Sequence, residues 1–215
     1  MPVKTAGYTT ANILEVEDIK AARQCVVPRG APYAIATSTG TMAAALAGNA
    51  AFFVMRNNPS GSLACFIDRI RFQFSTVVAF TTPVTATRRV VVTRGAVTGV
   101  ALSAGTQITT IAKKSSLDAD SQCQPSIGGD CRISATAAIT TTGVTYEGAD
   151  FAAASLVHVG NAGNFTEVIW EFSESAPLIL QPGELVAIRN GASNMDAAGT
   201  WVGNVQVQWR EATNL

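Results

Sequence analysis

The sequence predicts an all-β fold, a jelly-roll-like β-sandwich of antiparallel strands preceded by an extended N-terminal arm. Three observations carry that expectation. In the stretch 165–172, Val168, Trp170 and Phe172 fall on one side of an extended chain and Glu167, Ile169 and Glu171 on the other. Near the end of the chain, Val205, Val207 and Trp209 oppose Asn204, Gln206, Gln208 and Arg210. Such a period of two marks half-buried strands, because successive side chains leave opposite faces of a sheet. Finally, about nine candidate strands are separated by turn signals, the spacing of a sandwich or barrel. A sheet with one apolar face buries it against a second layer.

Taken in order, residues 1–24 form an arm, extended to residue 12 and then a short helix whose apolar stripe is only Val16 and Ile19. Residues 25–215 make a single domain, a size that one β-sandwich accommodates. A short strand is expected over 33–37. The run Ala43-Ala44-Ala45-Leu46-Ala47 has helix propensity but is too short to stand alone. A strand over 50–57 closes in Asn57-Asn58-Pro59-Ser60-Gly61, a strong turn signal. The clearest strand in the first half covers 63–78, with Phe66, Asp68, Ile70, Phe72 and Phe74 on one face and Ile67, Arg69, Arg71 and Gln73 on the other. This places Asp68 on the inward set, where an acid needs a strand end or a neighbouring arginine. Further strands are expected over 81–93, 107–112 and 133–142. Residues 113–130 have the composition of an exposed loop, and 143–164 read as a connection of small residues. In Leu180-Gln181-Pro182-Gly183-Glu184 a tight turn precedes the buried strand that follows.

Composition narrows the function. Hydrophobic residues make up 47% and charged residues only 14%, against about 25% charged in ordinary soluble domains. Fifteen basic and fifteen acidic groups cancel, so no global field draws in nucleic acid or an anionic membrane. A surface so poor in charge suits one covered by neighbouring subunits, or one built from Thr, Ser, Asn and Gln. Neither a signal-type leader nor an apolar run of membrane-spanning length is present, which reads as a soluble protein made in the cytoplasm.

No arrangement of residues reaches the level of an active site. His158 is the only histidine, which excludes a multi-histidine metal centre of the cupin kind despite the cupin-like Pro-Gly-Glu turn. Neither a Gly-x-Ser-x-Gly elbow nor a phosphate loop occurs. Glu167 and Glu171 lie on one strand face, but four positions at about 3.3 Å each put them about 13 Å apart, beyond the roughly 5–9.5 Å of glycosidase carboxylates. They fit a solvent- or subunit-facing edge, and with Asn57, Asn58, Arg69 and Arg71 they are the candidate interface residues. Arg69, Arg71, Arg88, Arg89 and Arg94 make a basic set too small for nucleic-acid binding. Trp170 and Trp209 are patterned with valines as core, while Trp201, after Ala198-Gly199-Thr200, is the candidate ligand-facing aromatic, weighed against packing in the core. Cys25 and Cys65 sit among apolar residues as small buried hydrophobes. Cys123 and Cys131 flank a loop that a disulfide would close in oxidising surroundings; a zinc site there has weaker support, since the pair lacks a CxxC spacing.

Across Trp170-Glu171-Phe172, the stretch 176–190 with its Ala-Pro-Leu-Ile-Leu-Gln-Pro-Gly-Glu, and 198–211 ending in Val-Gln-Val-Gln-Trp-Arg-Glu, the chain resembles the jelly-roll head decoration or cement proteins of tailed bacteriophages. The resemblance covers under a quarter of the chain, in short motifs. It implies a non-enzymatic virion protein on the capsid surface, made in the host cytoplasm. Its partners would be sister copies, typically as a homotrimer, and the major capsid protein. Nucleic acid, membrane, cofactor and catalytic residues play no part in it. The alternative reading is a carbohydrate- or receptor-binding spike or fibre module.

Overall fold

The computed structural model describes residues 30–80, 88–97, 102–156, 163, 165–172, 176–196 and 198–213. The predicted arm and helix over 1–24, and with them Cys25 and His158, lie outside the described residues. Among the described residues thirteen strands follow one another: β1 Ala31–Ser38, β2 Ala51–Arg56, β3 Leu63–Val78, β4 Arg88–Val97, β5 Thr106–Gln107, β6 Ala112–Lys113, β7 Asp130–Ile133, β8 Val144–Tyr146, β9 Ala152–Leu156, β10 Phe165–Glu171, β11 Leu178–Leu180, β12 Glu184–Asn190 and β13 Thr200–Thr213. One short 3-10 turn, Pro125–Ile127, interrupts them.

The strands form two antiparallel sheets. Sheet A runs β10-β3-β13-β1-β6, with β11 also on β3; sheet B runs β5-β7-β2-β12-β4-β8, with β9 also on β4. Eight principal strands account for the architecture. Sheet A holds β1, β13, β3 and β10 side by side, and sheet B holds β2, β12, β4 and β9. The chain crosses between the layers at nearly every step, so its first and last strands are neighbours. That wrapping is the jelly roll, as the sequence predicts. The four remaining short strands between β4 and β9 belong to one long excursion. Within it, β6 extends sheet A beyond β1, while β5 and β7 extend sheet B beyond β2.

Between the sheets the core is aromatic. The Trp201 ring stacks on Phe74 at 5.1 Å and meets Phe52 edge-on at 5.5 Å, and Phe52 tilts against Phe72 at 5.2 Å. Strand β2 is buried on both faces. Its outward side chains Ala51 and Val54 pack with Leu102, Ile139, Leu185 and Ala187 beneath the excursion. The outer face of sheet B is therefore largely roofed, whereas that of sheet A carries the half-buried and exposed side chains of β3, β10 and β13.

Local chemistry explains where expectation and structure part. On β3 the register against β13 slips: Gln208 pairs with Arg69 and Trp209 with Ile67, leaving Asp68 as an extra residue. A bulge of this kind reverses the parity of the strand. Cys65 and Ile67 therefore join Ile70, Phe72 and Phe74 in the core, and Phe66 packs on the opposite side with Ala64 and Ile179. Asp68 leaves the inward set predicted for it and takes the Arg210 guanidinium through contacts of 2.6 and 3.1 Å. The stretch 143–164, read as connection, contains β8 and β9, whose small side chains hid their pairing with β4. Strand β7 starts three residues before the predicted 133–142 and ends at Ile133. The Gln181 to Glu184 turn is as expected: Glu184 N–H donates to Gln181 O at 2.9 Å, and Gly183 has φ +84°, a conformation open to glycine after Pro182.

Candidate functional site

The predicted interface residues separate into two groups. Arg69 and Arg71 on β3 and Glu167 and Glu171 on β10 come together on the outer face of sheet A. The adjacent strands pair Ile169 with Arg71 and Glu171 with Arg69. Arg71 forms an ion pair with Glu167, which also accepts a hydrogen bond from Gln73 Nε2 at 3.1 Å; Arg69 and Glu171 are 3.7 Å apart. The Arg71 guanidinium, followed by smaller charge and hydrogen-bond contributions, holds the Glu167 carboxyl below the usual carboxylate range. Phe165 and Ile169 stand exposed beside these pairs, at 69% and 42%. Among the described residues, strand β10 ends its sheet. Further along the same face, Gln73, Asn204, Gln206 and Ser38 line a shallow polar depression of about 290 Å³.

Asn57 and Asn58 do not join that surface. Both are buried. Asn57 Nδ2 donates to the carbonyls of Leu63 at 2.8 Å and Leu180 at 3.1 Å, tying the β2–β3 turn to β11. Asn58 Nδ2 reaches the Ile127 carbonyl at 2.8 Å, fastening the turn to the excursion. A buried side-chain amide replaces backbone partners that a turn leaves unpaired, so a turn signal that looked like an exposed tip is an internal clasp.

Trp201 is not ligand-facing. It is fully buried, because Gly199 (φ +97°) turns the chain inward against Phe80 just before the strand begins. The basic set is likewise divided. Arg94 lies on sheet B, paired with Glu147 at 2.6 Å and stacked over Phe151, away from Arg69 and Arg71.

A second constellation, which reading along the sequence missed, lies between the sheets. Cys65, Cys123 and Cys131 are buried free thiols. The bridge between Cys123 and Cys131 that the sequence left open is not formed; Cys123 Sγ lies 3.4 Å from Cys65 Sγ. Backbone bonds close the loop instead: Gln124 O accepts from Ile127 N–H at 3.0 Å and Gly129 N–H at 3.1 Å. Cys65 Sγ is 3.8 Å from Glu211 Oε1. Glu211 is buried and accepts from Ser121 Oγ–H, from Trp209 Nε1–H at 2.9 Å and from Gln122 N–H at 2.9 Å. Burial, then the hydrogen bond and charge of Cys123, push the Cys65 thiol up; burial does the same for Cys131. Tyr33, stacked on Trp209 at 5.8 Å, is pushed up to about 12 by burial and then by Glu211.

One signal pointed to this cluster. The alternation Val205, Val207, Trp209 continues to Glu211, which puts an acid on the inward face. Its partner Cys65 stands opposite it in register, 146 positions away in sequence and beyond the parity reversal at Asp68. Nothing local announces that pairing.

No protein-family model matches this chain, and no curated protein matches it at a significant level.

Proposed function

We propose that this chain is a non-enzymatic virion structural protein of a tailed bacteriophage. In this reading it is a head decoration or cement protein that self-associates as a homotrimer and binds the lattice of the major capsid protein. The observation that carries the reading is the asymmetry of the two layers. Sheet B is roofed by the chain's own excursion, while sheet A leaves a face that combines exposed Phe165 and Ile169 with the Arg69, Arg71, Glu167 and Glu171 pairs. An edge strand with exposed apolar side chains is a ready docking surface. The jelly roll adds support by analogy of fold, since capsid domains use it, as lectins and cupins do.

Glu167 and Glu171 are each engaged by an arginine, which favours a surface role over acid–base chemistry. Repetition on a capsid would make modest contacts effective, because subunits that bind together reinforce one another. The alternative, a carbohydrate- or receptor-binding spike or fibre module, loses Trp201 as its aromatic platform.

Cosedimentation of the full chain with shells assembled from the major capsid protein of the same virus tests the proposal. Saturable binding at a fixed ratio to capsid subunits is expected. The double substitution Phe165→Asp/Ile169→Asp, at two exposed positions, should weaken it at least about tenfold, the equivalent of about 1.4 kcal/mol. A folded chain that stays in the supernatant at every concentration would overturn the proposal.

A further inference from the structure

We propose that Cys65, Cys123 and Glu211 supply three ligands to one zinc ion, which ties the β3–β13 pair of sheet A to the excursion. The donor atoms come from three separate stretches of chain, yet lie within 4.8 Å of one another, and all three residues are buried. Two soft sulfurs and one carboxylate oxygen are a zinc donor set. The separations also suit it. Zinc–sulfur bonds of about 2.3 Å and zinc–oxygen bonds of about 2.0–2.2 Å at tetrahedral angles place sulfurs about 3.8 Å apart and sulfur and oxygen about 3.5 Å apart. The observed distances are 3.4 and 3.8 Å.

Charge gives the second argument. A buried carboxylate is ordinarily paired with a cation or bound to a metal. Among the described residues, the donors that Glu211 meets are neutral: Ser121, Gln122, Trp209 and the Cys65 thiol. The first three are placed as the outer hydrogen bonds of a metal site are, holding the carboxylate in orientation and spreading its charge. A divalent cation would supply the missing positive charge, and its coordination would release the protons of the two thiols to solvent. Cys131, also buried, lies outside this set of mutually close donors, so three protein ligands would hold the ion. This site is independent of the capsid reading, since it would brace the fold whatever the outer face binds.

The test uses the full chain expressed with added zinc and purified in a phosphine reductant without chelator. Elemental analysis is expected to give about one zinc per chain. Cobalt substitution should produce a thiolate-to-metal charge-transfer band in the near ultraviolet, diminished in Cys65→Ser and Cys123→Ser. Should those variants fail to fold, the wild type decides: stripping zinc with a strong chelator should lower its melting temperature, and adding zinc back should restore it. Folded wild-type protein with under about a tenth of a zinc per chain, and a melting temperature unmoved by added zinc, would overturn the site. So would a Cys65–Cys123 disulfide in protein isolated without reductant, since that bond consumes both thiolate donors.

Discussion

Asn57 ends strand β2 with a side chain that does the work of two backbone partners. Its Nδ2 amide holds the Leu63 and Leu180 carbonyls, and the residue is fully buried. Truncation to Ala would strand both carbonyls in a dry site, and a buried polar group left unmade costs about 1–3 kcal/mol. Asn57→Ala is therefore expected to lower unfolding stability by about 2–3 kcal/mol in urea denaturation, with self-association unchanged in the fraction that remains folded. A loss of assembly with full stability would instead place Asn57 at an interface. The residue type alone does not separate these roles, because Asn-Asn-Pro-Ser-Gly marks a turn without saying whether another segment closes over it. Glu211 poses the same problem in reverse. Its place on the inward face is written in the alternation of its strand, but apart from Trp209 the donors closest to it, Ser121 and Gln122, are brought there by the fold.

At the level of the strand, side-chain periodicity was a sound guide wherever pairing was regular. The alternation of β10 and β13 appears in the structure as read, with Trp209 buried and Gln206 exposed. The bounds of β3, 63–78, agree with the expectation to the residue. What failed was parity across the bulge at Asp68, since a period of two carries no mark where a strand gains a residue. The short strands β8 and β9 escaped for another reason: Thr, Ala and Ser give little contrast between faces, and their pairing is decided by β4 alongside. Trp201 sits just past a second register slip, between Thr200 and Trp201, where the turn at Gly199 directs it inward. The ring packs against Phe52 and Phe74 and bridges the two layers. Removing a buried tryptophan costs about 3–5 kcal/mol. Trp201→Ala is expected to lose that much in thermal or urea unfolding, and the loss should be seen without any ligand present. A stability within about 0.5 kcal/mol of wild type would contradict a core role.

For the molecule as a whole, the long excursion between β4 and β9 is the organising feature. It roofs sheet B, extends both sheets past their β1 and β2 edges, and delivers Cys123 and Ser121 to Cys65 and Glu211. Among the described residues, sheet A is thereby left as the open face, bounded by edge strand β10 with its exposed Phe165, Glu167, Ile169 and Glu171. The low content of charge, evenly balanced in sign, is consistent with that face being covered in an assembly. Composition alone suited either a covered surface or one rich in Thr, Ser, Asn and Gln; under the proposed function, the outer face of sheet A is the side that an assembly would cover.

The most direct test of this account is the mass of the purified full chain in solution, by light scattering after size exclusion at several concentrations. The account predicts a stable species of about 67 kDa, three times the 22.3 kDa chain, reduced to the single-chain mass by Phe165→Asp/Ile169→Asp. A monomer of 22.3 kDa at every concentration would contradict self-association through the open face.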